Sequence, residues 1–260
     1  MTGRSDNPKA AYPFEWGAAT HIGIVRRRNE DAYVVEPELG LLLAIDGMGG
    51  HLAGDIAAGS IARGLPAALA EQFESMKMRL TRAVCRRLRG LLADQNRQVF
   101  LQGLTRRGAQ GMGATLAMVV LLGGRAYVAN VGDSRAYRWR AGRLVQLSRD
   151  HSVVSELVER GDLEPSAALY HHMRGVVTQH IGMLDEPEPH VRTYALKPGD
   201  RFLLCTDGLT DQVPDAAIET ILANGTDCQQ TCDLLVEAAN ARGGIDNVTV
   251  VLAHWTGLRQ

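Results

Sequence analysis

The sequence predicts an α+β fold of two stacked β-sheets with helices on the outside, and three observations carry the prediction. Apolar strand-like runs occur at both ends and in the middle of the 260 residues. Two long helix-like blocks lie between the first strands and the central ones. The central runs are joined by short glycine-bearing turns, which suit an antiparallel meander; βαβ crossovers need a dozen or more connecting residues.

The elements follow in order. Residues 1–14 are polar, contain two prolines and read as a loose lead-in to one domain over residues 15–256. Alternation over 15–27 predicts a strand, and Arg28-Asn29-Glu30-Asp31 follows it. Residues 32–35 and 40–45 form a hairpin-like pair around Pro37. Residues 53–73 are alanine-rich with helical period. Residues 76–104 continue as a second helix with Leu80, Val84, Leu88 and Leu91 as its inner stripe. Strands are predicted at 115–122, 125–131, 134–140 and 143–147, and a short helix at 152–160. Residues 161–182 show no period and read as a mostly surface-exposed insertion. Strands at 191–196 and 201–205, helices at 214–223 and 227–241, and a strand at 248–254 complete the chain.

The bulk numbers are those of an ordinary globular protein, with 45% hydrophobic and 22% charged residues. A net charge of −1 gives no global electrostatic case for nucleic acid. The first residues lack the apolar core of a signal peptide. The longest apolar run, 114–122, is too short to span a bilayer as a helix. Cys85, Cys205, Cys228 and Cys232 show no zinc-type pairing, and a chain this long needs no disulfides, so a reducing, cytoplasmic compartment is expected. Cys228 and Cys232, four apart on a helix, are assigned to packing ahead of a metal or redox role. A basic helix face of Lys77, Arg82, Arg86 and Arg89 reads as solvated surface ahead of a contact for an acidic partner.

One pattern repeats: an acid at the edge of an apolar strand beside Gly or Asn. Asp46 ends the run Leu41-Leu42-Leu43-Ala44-Ile45 and precedes a glycine cluster. Asp133 follows 126–131 and Gly132; Asp207 follows 202–205 and precedes Gly208; Asp246 precedes Asn247 and the last strand. Glu30-Asp31 adds an acidic pair, and Asp211 lies four residues past Asp207. Each acid alone is ordinary turn chemistry. If the strand ends meet, six or seven carboxylates share one cleft, which is unfavourable unless cations neutralise them. Two or three hard divalent ions, which prefer oxygen ligands, would do so and would activate a bridging water. An arginine from Arg26-Arg27-Arg28 at a strand end could hold a phosphate through its planar fork.

The ordered motifs resemble the metal-dependent protein phosphatases of type 2C, the PPM family, in its compact bacterial branch. They are Gly23-Ile24-Val25-Arg26-Arg27-Arg28-Asn29-Glu30-Asp31, Asp46-Gly47-Met48-Gly49-Gly50-His51, Gly113-Ala114-Thr115, Val131-Gly132-Asp133-Ser134-Arg135, Asp150-His151-Ser152, Thr206-Asp207-Gly208-Leu209-Thr210-Asp211 and Asp246-Asn247-Val248-Thr249. The resemblance implies a four-layer αββα sandwich, with the 152–182 insertion as a flap beside the active site. It implies hydrolysis of phosphoserine and phosphothreonine with Mn²⁺ or Mg²⁺, two ions in the core site and a weaker third, by in-line attack of a metal-bound hydroxide. By the same resemblance Asp46 bridges two metals and the Gly47 carbonyl contacts one. Asp207 and Asp246 complete the first metal's shell, while Glu30 and Asp31 act through bound waters. Asp133, Asp207 and Asp211 hold the third ion, and Arg26 orients the phosphate. Met48 stands where some members carry a general-acid His; His51, nearby in sequence, is read as bracing the loop ahead of a role as proton donor. The flap departs from the family pattern at Arg174-Gly175-Val176 and Thr178-Gln179-His180, so Arg174 and Gly175 are candidate substrate contacts; His171, His172 and His180 are read as exposed and non-catalytic. Expected partners are phosphorylated proteins, including a bacterial Ser/Thr kinase and forkhead-associated targets, with the enzyme a monomer. Type VI secretion and cell-wall growth are settings in which relatives of this size act. A catalytically silent phosphopeptide-binding scaffold and a small-phosphoester hydrolase are the alternatives.

Overall fold

The runs with the strongest apolar character become the middle strands of two five-stranded antiparallel sheets in the computed structural model, which describes residues 13–49, 53–77, 80–168 and 170–257. The strands are β1 Phe14–His21, β2 Ala32–Glu36, β3 Leu41–Met48, β4 Gly113–Leu122, β5 Arg125–Val131, β6 Arg135–Arg140, β7 Arg143–Gln146, β8 His190–Ala195, β9 Arg201–Cys205 and β10 Val248–Trp255. The helices are α1 Ala53–Lys77, α2 Thr81–Thr105, α3 Val153–Arg160, α4 Pro165–Ala168, α5 Asp207–Thr210, α6 Asp215–Asn224 and α7 Cys228–Ala241. One sheet has the order β1-β10-β9-β6-β7 and the other β2-β3-β4-β5-β8.

Strands β3 and β4 read as continuous apolar runs because both of their faces are covered. Leu41, Leu43, Ile45, Leu116, Met118 and Val120 face α1 and α2. Leu42, Ala44, Ala117, Val119 and Leu121 face the other sheet, against Phe202, Leu204 and Val251. The outer face of that second sheet packs Leu203, Cys205 and Val250 under α6 and α7. The result is the helix–sheet–sheet–helix stack the sequence predicted. Cys228 and Cys232 are buried in this last layer, and burial pushes their thiols up, Cys228 to about 12.

The structure corrects several element boundaries. The first strand stops at His21, not at residue 27, and residues 22–31 form a loop, so Arg26 is a loop residue and not a strand-end one. The central strands are not one meander: β4 pairs with β5 and β6 with β7, but β5 and β6 belong to different sheets. Gly132, with φ 93°, makes the change of sheet, and its missing Cβ is required because Thr115 packs against it. The second long helix starts at Thr81, which leaves Leu80 exposed, and its buried stripe is Val84, Leu88 and Leu91, continued by Val99. The 161–182 insertion contains the short α4, and Asp207 opens a one-turn helix. Among the described residues no helix is long and apolar enough to cross a membrane.

Candidate metal centre

Five chain segments bring their acids to one edge of the stacked sheets. Asp46 lies in β3 opposite Thr115 of β4. Asp133 lies at the β5–β6 crossover, where Thr115 Oγ1 and Ser134 Oγ are 2.6 Å apart and tie the turn to β4. Asp207 follows β9, and Asp246 precedes β10. Gly208 lets these two segments touch, since a Cβ there would overlap the Asn247 carbonyl oxygen. The fifth segment, the 22–31 loop, is held by Asn247. Its Nδ2 donates to the Ile22 carbonyl at 2.9 Å and the Arg28 carbonyl at 2.8 Å, and its Oδ1 accepts from the Glu30 amide at 2.8 Å.

The outcome is a cleft of about 630 Å³ lined by Arg26, Glu30, Asp46, Gly47, Asp133, Asp207 and Asp246, with Met48, Thr115, Gly175 and Val177 around them. Arg26 Nη2 donates to Asp246 Oδ2 at 2.6 Å. Asp31 lies beside the cleft, its Oδ2 accepting from Thr206 Oγ1 at 2.9 Å, while that hydroxyl accepts from the Thr249 amide at 3.0 Å. Asp211 belongs to a smaller adjoining cavity of about 110 Å³, whose lining shares Asp133 and Asp207 with the main cleft and adds Arg174. There Arg174 Nη2 meets Asp211 Oδ1 at 2.6 Å. His51 lies outside the described residues. Met48 brings no ionisable group to the cleft wall.

The acids raise one another. Burial, then the charges of Asp207, Asp31, Asp133 and Asp246, push Asp46 well above the usual carboxylate range. Burial pushes Asp31 up to about 7, against the opposing hydrogen bonds of Thr249 and Thr206. Burial and Asp207 take Asp133 to about 8, and burial with Asp211 and Asp246 takes Asp207 to about 6. Asp31 Oδ1 and Asp207 Oδ1 are buried without a hydrogen-bond partner.

Hard divalent cations fit this setting. The donors are all oxygen, they carry excess negative charge, and two buried oxygens lack partners. Among the described residues no three such side chains close on a single point as a finished cage. Mg²⁺-like ions retain several waters, so side chains need not complete the shell.

Asn247 and Thr206 belong to the sequence motifs, but the sequence alone assigns neither a task. A signal existed: each is a hydrogen-bonding residue flanking a metal-type acid at a strand end, where neighbouring loops have backbone groups to satisfy.

A family model described as Protein phosphatase 2C matches residues 24–243. The chain belongs to the protein phosphatase 2C family. The serine/threonine phosphatase stp of Listeria welshimeri is 32% identical over 239 residues, covering 90% of this chain and 93% of the relative. The crystal structure of the Mycobacterium tuberculosis serine/threonine phosphatase PstP/Ppp superposes with a TM-score of 0.83 at 33% identity, covering 93% of this chain and 98% of that one. The catalytic domain of PstP in complex with 2 manganese ions matches with a TM-score of 0.77 at 32% identity, over 93% and 97% of the two chains. This protein phosphatase 2C is thus a Mn²⁺/Mg²⁺-dependent serine/threonine phosphatase, and the silent-scaffold alternative falls.

Proposed function

We propose that the acid-ringed cleft is where this phosphatase removes phosphate from phosphoserine and phosphothreonine side chains of proteins, with its residues in the following roles. Asp46, Asp207, Asp246 and the Gly47 carbonyl hold two ions, and Glu30 and Asp31 act through waters on them. Asp133, Asp207 and Asp211 hold a third. Bound there, the ions would neutralise charge on the phosphate and supply an acidified water as the nucleophile for in-line displacement at phosphorus. Arg26 lies at the cleft wall with its guanidinium on Asp246, so it orients a phosphate by exchanging part of that contact for the substrate's oxygens. Asn247 and Thr206 are positioning residues that hold the Glu30 and Asp31 segment in place. Gly175, on the cleft wall, and Arg174 belong to a flap over residues 152–182 that meets the substrate peptide. The substrates we assign are phosphorylated proteins of a bacterial cytoplasm, a Ser/Thr kinase and forkhead-associated proteins among them, met by a monomer.

The observation that carries this reading is the convergence of Asp46, Asp133, Asp207 and Asp246 from four segments on one cleft with Arg26. Hydrolysis of p-nitrophenyl phosphate and of a phosphothreonine peptide, with and without Mn²⁺, tests it. Turnover should require the metal and vanish in Asp46→Asn with the fold intact. Metal-independent hydrolysis or an active Asp46→Asn refutes it.

A further inference from the structure

A groove of about 1110 Å³, larger than the acid-ringed cleft, lies between α2, β8 and the 149–160 segment. Its lining includes five arginines, Arg86, Arg89, Arg149, Arg160 and Arg192, together with His151 and His190. Arg149 is committed to Glu159 and Arg160 to Glu156. Arg86, Arg89 and Arg192 have no carboxylate partner among the described residues.

Arg89 Nη2 and Arg192 Nη1 both donate to one oxygen, the Val191 carbonyl, at 3.4 and 3.3 Å. Two guanidiniums brought to a single neutral acceptor repel each other, and an anion between them removes that cost. Arg86 and Arg89 are three apart on α2 and so share a face. His190 carries two buried ring nitrogens without a hydrogen-bond partner; burial first, then the charges of nearby Arg192, Arg149 and Arg89, lower its pKa.

We propose that this groove is a second anion site, docking one phosphate group of a phosphorylated protein segment away from the cleft where hydrolysis occurs. A phosphate offers several acceptor oxygens to Arg86, Arg89, Arg192 and His190 together, in the forked geometry guanidinium groups favour. Glu156 and Glu159 are taken by Arg160 and Arg149, whereas Glu186 and Glu188, which also line the groove, have no ion-pair partner among the described residues. They repel extended polyanions and attract basic flanks, so the segment is a phosphoserine or phosphothreonine beside Lys or Arg, not RNA and not an anionic membrane. The identity of the partner rests on the phosphoprotein reading above. The anion site itself rests on the three unpaired arginines.

The test uses the full chain in chelator, where the cleft acids repel phosphate and only the groove attracts it. Fluorescence anisotropy compares a Lys/Arg-flanked phosphothreonine peptide with its unphosphorylated form, an RNA oligonucleotide and phosphatidylserine vesicles. The phosphopeptide should bind at least about tenfold more tightly than the others, and Arg89→Ala/Arg192→Ala should remove that preference while Arg89→Lys/Arg192→Lys keeps part of it. With Mn²⁺, the double Ala variant should raise KM for a doubly phosphorylated peptide about tenfold, with kcat and p-nitrophenyl phosphate turnover unchanged. No phosphate preference, equal affinity in the Ala variant, an effect on kcat alone, or tighter binding of RNA or vesicles overturns the proposal. Loss of p-nitrophenyl phosphate turnover in the unmodified chain would instead overturn the cleft assignment and leave the anisotropy result standing on its own.

Discussion

Chelating the metal should make this phosphatase less stable as pH rises from 5 to 8, the reverse of what well-paired acids do. Asp31 has an ordinary value of 3.8 and is pushed up to about 7 in the folded chain. A group raised on folding contributes stability that is complete below its unfolded pKa and is lost as pH climbs through the folded one. At 1.36 kcal/mol per unit, the shift of Asp31 from 3.8 to about 7 corresponds to about 4 kcal/mol in all; part of it is already gone by pH 5, and the two units left below the folded value make the loss between pH 5 and 8 about 2 kcal/mol. The shifts of Asp133 and Asp207 do not simply add to this, because each is partly caused by its neighbours' charge and one bound proton relieves the rest. A loss of about 2 kcal/mol lowers Tm by about 5 °C for a chain of this size. Thermal and urea unfolding in chelator at pH 5, 6, 7 and 8 measure it, and the same series with saturating Mn²⁺ supplies the control. The cations should flatten or reverse the slope, since binding to the folded state alone stabilises it. A metal-free chain equally stable at pH 5 and pH 8, or an unchanged slope with Mn²⁺, would refute the claim that mutual repulsion of these acids is what the ions relieve.

Asn247→Ala should loosen the 22–31 loop by removing three hydrogen bonds, and lower Mn²⁺ affinity about 10–100-fold in calorimetric titration with the fold retained; an affinity within twofold of the parent would contradict the positioning role. Thr206→Val removes the donor to Asp31 and the acceptor of the Thr249 amide, and should cost about 2 kcal/mol in urea unfolding. Gly175→Asn should move peptide KM more than metal affinity, because Gly175 lines the cleft with open space where a side chain would go; the opposite pattern removes the flap from substrate recognition.

How much of this was legible in the sequence depends on what each feature rests on. The sandwich could be read because β3 and β4, covered on both faces, have no polar alternation to confuse with anything else, and because the links between central strands are too short for crossovers. The meander was misread for a local reason: a three-residue link looks the same whether the next strand pairs in the same sheet or crosses to the other. Only the contact of Gly132 with Thr115 decides it, and that contact is set by packing across the fold. The acids were legible as a pattern, Asp beside Gly at strand edges, but their convergence was not. It depends on Asn247 holding a loop more than two hundred residues away in sequence, and on Gly208 letting Asp207 and Asp246 approach. The arginine groove shows the opposite case. Arg86 and Arg89 were visible as a basic helix face and read as solvated surface, since nothing on α2 itself distinguishes a solvated stripe from a docking one. What distinguishes them is Arg192, carried in by β8 from a hundred residues away onto the same carbonyl oxygen as Arg89. A charged helix face therefore becomes a candidate docking surface when a distant element adds a like charge with no carboxylate partner beside it.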